Sequence, residues 1–319
     1  FSNISGAANS YYQSDTLQAT RYYRVVVTSL HGCSEDTSNH VKVNVYADFD
    51  EGSIIGNDTI CYDARPDSLK VFTSPIGGGS TYSYQWLGST DLLNWTKESS
   101  QTNTTYKPQK LQSDKYYKLE VTSTKGCGVD TTNAIKVKVW LDILEADIAN
   151  HQIICYDTKA DTIDIVKVAS GADNNFTYQW QVSTNGSNWS NLSGSNLQYY
   201  SPGDLTNTRY YRVMATSTFG CGSIASDSVK VYVHPKIDAG SIGSFHNLCF
   251  GTKSDTLKFL TSQQPNGGGD SFSYQWQVAF DTTAFSNISG AANSYYQSDT
   301  LQTIRYYRVV VTSLHGCSE

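Results

Sequence analysis

The sequence predicts an all-β chain of tandem β-sandwiches, and three observations carry that prediction. Short apolar runs alternate strictly, as at Val41-Lys42-Val43-Asn44-Val45, Ile135-Lys136-Val137-Lys138-Val139 and Val229-Lys230-Val231-Tyr232-Val233, with no sustained helical period anywhere. Clusters of Gly, Ser, Asn and Asp separate these runs, which is the turn chemistry of short strands. The same landmarks also recur at a fixed distance. Cys61, Cys155 and Cys249, 94 residues apart, open successive stretches, and Cys33, Cys127, Cys221 and Cys317 close them. A stretch of about 95 residues is the usual size of one sandwich domain, so the repeating array is the first candidate for function.

Taken in chain order, each domain repeats one series of elements. Six residues after the opening cysteine comes Asp67-Ser68-Leu69, Asp161-Thr162-Ile163 or Asp255-Thr256-Leu257, a turn residue and a hydroxyl ahead of the first core position of a strand. Mid-domain comes Tyr84-Gln85-Trp86, Tyr178-Gln179-Trp180 or Tyr274-Gln275-Trp276, and nine residues after each tryptophan stands Trp95, Trp189 or Phe285. Leu17, Leu111, Leu205 and Leu301 then each precede by six residues a tyrosine, Tyr23, Tyr117, Tyr211 and Tyr307. That tyrosine opens a penultimate strand in which Tyr23, Val25 and Val27 face one way and Tyr22, Arg24 and Val26 the other. The strictly alternating run listed first closes the domain.

A tryptophan on the third strand and a tyrosine ahead of the sixth are features of immunoglobulin-like and fibronectin-III-like sandwiches of about seven strands. Trp86, Trp180, Trp276, Tyr23, Tyr117, Tyr211 and Tyr307 are therefore assigned to cores. The domains expected are 1–46 (the C-terminal part of a sandwich), 47–140, 141–234 and 235–319, the last without its final strand. The next opening cysteine always stands fifteen positions after the end of a last strand (Tyr46, Trp140, His234). Constant length with free composition predicts a fixed inter-domain geometry and a rod-like array.

Residues 1–35 recur at 285–319, differing only at Ala19/Thr303 and Thr20/Ile304. Neighbouring domains share little beyond landmarks, so an old domain diverged into a triplet that later duplicated, and the chain reads as a window on a longer repetitive protein.

Composition narrows the function classes. With 39% hydrophobic residues each domain can bury a core, and a net charge of −6 without a Lys/Arg cluster offers no footprint for nucleic acid or an anionic membrane. No apolar run is long enough to insert this segment into a bilayer. Two cysteines per domain at fixed places are the habit of extracellular proteins, and none has the tight spacing of a zinc site. Pairing within a domain or across neighbours is open from spacing alone. A last strand of about ten residues carries Cys127 roughly 30 Å from Cys155, whereas bridged Cα atoms lie within about 7 Å. That favours Cys61–Cys127, Cys155–Cys221 and Cys249–Cys317, one disulfide per domain, with Cys33 paired to a cysteine upstream.

Motifs for catalysis are missing: there is no nucleophile elbow, zinc-binding HExxH, phosphate loop or dinucleotide fingerprint, and the chain reads as a non-enzyme without cofactor. Asp48, Asp50 and Glu51, and likewise Asp142, Glu145 and Asp147, are weak calcium candidates between domains, set against solvated linker charge; the third linker keeps only Asp238. Tyrosine is abundant, 23 in all, and the pairs 22/23, 116/117, 210/211 and 306/307 place one ring inward and one outward. Outward tyrosines flanked by Arg24, Lys118, Arg212 and Arg308 offer a lateral interface between chains, a strip for stacking surface glycans, or plain cross-strand pairing.

Over nearly the whole chain, the string I-C-Y-D, then Y-Q-W-Q-V-S-T-N-G-S-N-W-S-N-L-S-G (178–194), L-T-N-T-R-Y-Y-R-V and F-G-C-G resembles the immunoglobulin-like repeats of giant Bacteroidota cell-surface proteins. These include gliding-motility adhesins and filaments exported by the type IX secretion system. The resemblance implies an extracellular, cell-surface location, intrachain disulfides, and a stalk or adhesive fibre in which copies of the same protein associate. The Asp-Ser/Thr-aliphatic triplets likewise resemble the O-glycosylation signal of exported proteins in that phylum, which makes Thr16, Ser68, Thr162, Ser228, Thr256 and Thr300 candidate acceptors. The alternative function is an adhesive module that binds carbohydrate or a cell surface through exposed aromatic residues.

Overall fold

The computed structural model describes residues 1–194, 196–243 and 246–317. They form strands, bridges and turns, with no helix among them. The chain divides into two compact units, Phe1–Asp142 and Ile143–Glu319.

In the first unit the complete sandwich is built on two long strands, Tyr82–Ser89 and Lys115–Ser123, antiparallel with Trp86 opposite Leu119. Thr96–Lys97 flanks this sheet on one side, and Ile135–Val139 and then Asp58–Ile60 extend it on the other, the last pair parallel. The facing sheet is Ser53–Ile55, Leu69–Thr73 and Thr105–Tyr106. Alternation decides what is buried: Tyr117, Leu119 and Val121 are fully enclosed, while Tyr116, Lys118 and Glu120 between them remain half-exposed. Trp86 packs on Tyr106, and Tyr106 on Tyr117, each at 5.8 Å between ring centres. The second unit repeats the plan in residues 143–234, with Phe176–Ser183 against Arg209–Ser217 and a core of Trp180, Tyr200, Tyr211, Ile163 and Val231. Both are immunoglobulin-like sandwiches.

The recurring Tyr-Gln-Trp now has a physical reason. The indole N–H of Trp86, Trp180 and Trp276 donates to the carbonyl of Asn103, Leu197 and Asn293 at 2.9, 3.0 and 3.0 Å, so a buried donor is satisfied in each core. The preceding glutamine turns its amide onto the tryptophan's own carbonyl and onto that of Glu98, Leu192 or Ile288 at 2.7 to 2.9 Å. It reinforces the backbone bonds that Glu98, Leu192 and Ile288 donate to the same tryptophan carbonyls. Nearby, Asp91, Asn185 and Asp281 each cap a tight turn through one side-chain oxygen, and the N–H of Asn94 foremost holds Asp91 well below the usual carboxylate range.

Residues 1–46 and 235–317 are sparser. In the former, Arg21–Tyr23 pairs with Val41–Val43 and Val26–Thr28 with Glu35–Thr37, but Val25 and Val27 are 50% and 63% exposed where their counterparts Leu119 and Val121 are sealed. In the latter, Phe272–Ala279 pairs with Tyr306–Ser313 and Trp276 is fully buried, while Val309 and Val311 are half-covered. Tyr23 and Tyr307, assigned to cores, are only half-buried for the same reason: fewer strands close over them. Burial raises the hydroxyls of Tyr117 and Tyr211, the latter to about 12, and both stay protonated.

The residues between a last strand and the next opening cysteine are structured. Asp50 bridges Ile76, Ser53–Ile55 pairs with Leu69–Thr73, and Asp58–Ile60 lies along the last strand. Their constant length is the length of the next sandwich's first edge.

Candidate functional site: the joint between domains

The second unit holds two successive sandwiches, and its most built feature is where one hands over to the next. Gln152–Ile154 runs parallel to Val229–Val233 with Ile154 opposite Val233, and the His234 N–H donates to the Ile154 carbonyl at 2.8 Å. Cys155 therefore sits at the pole where its domain ends. Cys221 lies in the turn after Arg209–Ser217, closed by Ser217 N–H to Gly222 O at 3.0 Å, and so at the opposite pole. A strand of nine residues separates the poles by roughly 30 Å, far beyond the about 7 Å a disulfide spans.

The bond that forms is Cys155–Cys317, with Cα atoms 5.3 Å apart and 162 residues between them in sequence. It ties the end of one domain to the closing turn of the following one. The expected Cys155–Cys221 and Cys249–Cys317 pairs are thereby overturned. Cys61–Cys127 is not formed either, because Cys127, like Cys33 and Cys249, is an exposed free thiol. Cys61 and Cys221 are themselves disulfide-bonded. The same strand length keeps Cys61, which follows Ile60 opposite Val139, from Cys127 in the turn after Lys115–Ser123.

Backbone contacts seat the chain beside this bond. The Gly268 N–H donates to the Pro235 carbonyl at 2.8 Å, Asp238 and Asn266 exchange backbone hydrogen bonds at 2.9 and 3.0 Å, and Ser313 Oγ donates to the Gly268 carbonyl at 2.5 Å. His234 stacks on His315 with ring centres 5.0 Å apart. In the first unit the same cradle recurs: Gly78 N–H to Ala47 O at 2.9 Å, Asp50 paired with Ile76, and Ser123 Oγ to Gly78 O at 2.6 Å. The triple glycines Gly77-Gly78-Gly79 and Gly267-Gly268-Gly269 are what this approach requires. All six have positive φ, and a Cβ on Gly77 or Gly267 would overlap the carbonyl oxygen of Asp48 or Lys236. Gly267→Ala is accordingly expected to cost roughly 2 to 3 kcal/mol of stability in residues 235–317, read by urea unfolding. A loss under about 0.5 kcal/mol would mean that the cradle yields freely.

The calcium candidates are not gathered. Asp50 Oδ1 accepts the Gly52 N–H at 2.7 Å and Asp238 does the same for Gly240 at 2.8 Å, so these carboxylates close turns, while Asp147 lies 3.5 Å from Lys167. Among the described residues no group of three metal-ligating side chains is assembled, and Asp48, Glu51, Asp142 and Glu145 join none. The hydroxyl residues Thr16, Ser68, Thr162, Ser228, Thr256 and Thr300 are all exposed, next to an aliphatic neighbour that turns inward.

The cations flanking the outward tyrosines pair elsewhere. Arg24, Lys118, Arg212 and Arg308 lie over Phe1, Trp95, Trp189 and Phe285 at 4.3, 4.5, 4.4 and 4.3 Å, one cation–π pair per domain. Tyr22, Tyr116 and Tyr210 are instead approached by Lys42, Lys136 and Lys230 from the last strand, at 5.6 to 5.8 Å. The second row lies directly across paired strands, whereas Phe1, Trp95, Trp189 and Phe285 stand outside the strands.

A family model described as Domain of unknown function (DUF8696) matches residues 1–47, 50–140, 145–235 and 238–319. No characterised protein matches the sequence significantly. Among solved structures the chain is similar to domains A168–A170 of titin, at 14% identity over 84% of this chain and 94% of that one, with a TM-score of 0.34. It is also similar to three N-terminal domains of the bacteriophage RB49 Highly Immunogenic Outer Capsid protein, at 13% identity over 78% and 86%, with a TM-score of 0.31.

Proposed function

Because the chain belongs, in all four of its domains, to the family described as Domain of unknown function (DUF8696), we propose that its work is done by repetition. It is a structural stalk or fibre segment of a very large secreted cell-surface adhesin or filament, of the type IX-exported Bacteroidota kind that its motifs resemble, and it supplies reach and mechanical continuity. The observation that carries this reading is the joint: a covalent bond across it, Cys155–Cys317, and a backbone cradle beneath it. A covalent tie between neighbours passes load from one domain to the next, as a load-bearing array requires. The disulfides support an oxidising, extracellular setting for it.

Small-angle scattering of the oxidised 319-residue chain tests the reading. Successive sandwiches of about 40 Å predict a maximum dimension on the order of 120 Å or more. A compact particle about half that length would overturn it. The alternative, a glycan-binding module, draws on Tyr199 and Tyr295, both more than half exposed at the same place in two domains. Saturable binding on a glycan array, lost in Tyr199→Ala and Tyr295→Ala, would favour that instead.

A further inference from the structure

We propose that the rule seen at Cys155–Cys317, an opening cysteine bonded to the closing cysteine of the domain that follows, extends to Cys249, which takes as its partner the Cys127 turn of another copy of the repeat. The inference rests on the reading of the chain as a repeat segment and adds the chemistry of its self-association.

Three observations carry it. Cys155–Cys317 is an instance of the rule within one unit. The free thiols sit in turns of the same build as the bonded ones. Thr252 Oγ1 donates to the Cys249 carbonyl at 2.7 Å, as Thr158 Oγ1 does to that of Cys155. Gly126 N–H donates to Ser123 O at 3.2 Å ahead of Cys127, as Gly316 does to Ser313 at 3.3 Å ahead of Cys317. Lys125 N and His315 N both turn onto the serine hydroxyl in these same loops. The phase of the repeat then selects the partner. Residues 285–319 duplicate 1–35, so the domain bearing Cys249 is in the phase of domain 1–46, and the domain after that phase, 47–140, closes on Cys127.

Both thiols are exposed, as bonding to a separate copy requires. The two thiols together give up two protons and two electrons; a disulfide donor such as oxidised glutathione takes up the electrons and leaves as two thiols.

The test is oxidation of the concentrated 319-residue chain in a glutathione redox buffer, followed by non-reducing electrophoresis and mapping of linked peptides. The expected result is a ladder of covalent multimers whose new linkage joins Cys249 to Cys127, with the Cys155–Cys317 peptide retained throughout. Cys249→Ser and Cys127→Ser should each lower multimer yield at least tenfold. Linkage of Cys249 to Cys317 or to another Cys249, or thiols that stay fully alkylatable, would overturn the rule. An elongated particle by scattering with any of those outcomes would sink the staple rule alone and leave the stalk reading standing.

Discussion

Pulled between handles placed just outside Cys155 and Cys317, the oxidised protein is expected to release almost no hidden length, and after reduction roughly 550 Å more. The figure follows from the 162 residues that the bond spans, at about 3.3 to 3.6 Å each when extended. Force entering near residue 155 passes through the sulfur atoms to residue 317, and the sandwich strands between carry none of it. The outcome separates the observed pairing from its rival. Cys155–Cys221 and Cys249–Cys317 would leave the stretch 222–248 unshielded, and oxidised protein would then lengthen by roughly 90 Å. In the chain-entropy model a loop of this size also contributes on the order of 5 kcal/mol against unfolding, so reduction should lower the thermal midpoint of the second unit. Single-molecule extension traces that are alike with and without reductant would refute this account.

Trp180→Ala is expected to remove about 3 to 5 kcal/mol from domain 141–234. The ring is fully buried against Tyr200, 6.0 Å between centres, and its indole N–H serves the Leu197 carbonyl at 3.0 Å. Alanine leaves a large cavity and an unpaired carbonyl together. A domain of this size is stable by about 5 to 15 kcal/mol, so the variant should be near its limit. Domain 47–140 has its own core around Trp86. Denaturant unfolding followed by circular dichroism should therefore separate into an early and a late transition. A single transition at the midpoint of the unaltered protein would show that Trp180 is not the keystone of its core.

Much of this was legible in the sequence because a sandwich face imposes a period of two, and because the same residues recur at the same place. The alternating last strands Ile135–Val139 and Val229–Val233 are strands in the structure, with the valines and Ile135 inward. The cysteine pairing was not legible, since equal spacing says nothing about the pole on which each thiol sits. That depended on Gln152–Ile154, a strand of three residues, too short for any periodicity to reveal and so read as linker. The partners of Arg24, Lys118, Arg212 and Arg308 were hidden likewise. Gln277 faces Arg308 and Gln181 faces Arg212 across the sheet, and that register sets which aromatic ring the cation meets. The glycine triplets looked like loop punctuation, and only the carbonyls of Asp48 and Lys236 lying where a Cβ would stand give them a purpose.

The span of the Cys155–Cys317 bond also sets an order of events. Cys155 belongs to a sandwich that can finish folding before its sulfur partner exists, because that partner emerges 162 residues later. At about 5 to 20 residues per second of synthesis, the wait is roughly 8 to 30 s. Until that partner is present Cys155 remains a thiol at the end of its domain, and the bond can form only when the closing turn of the following domain brings Cys317 within about 7 Å.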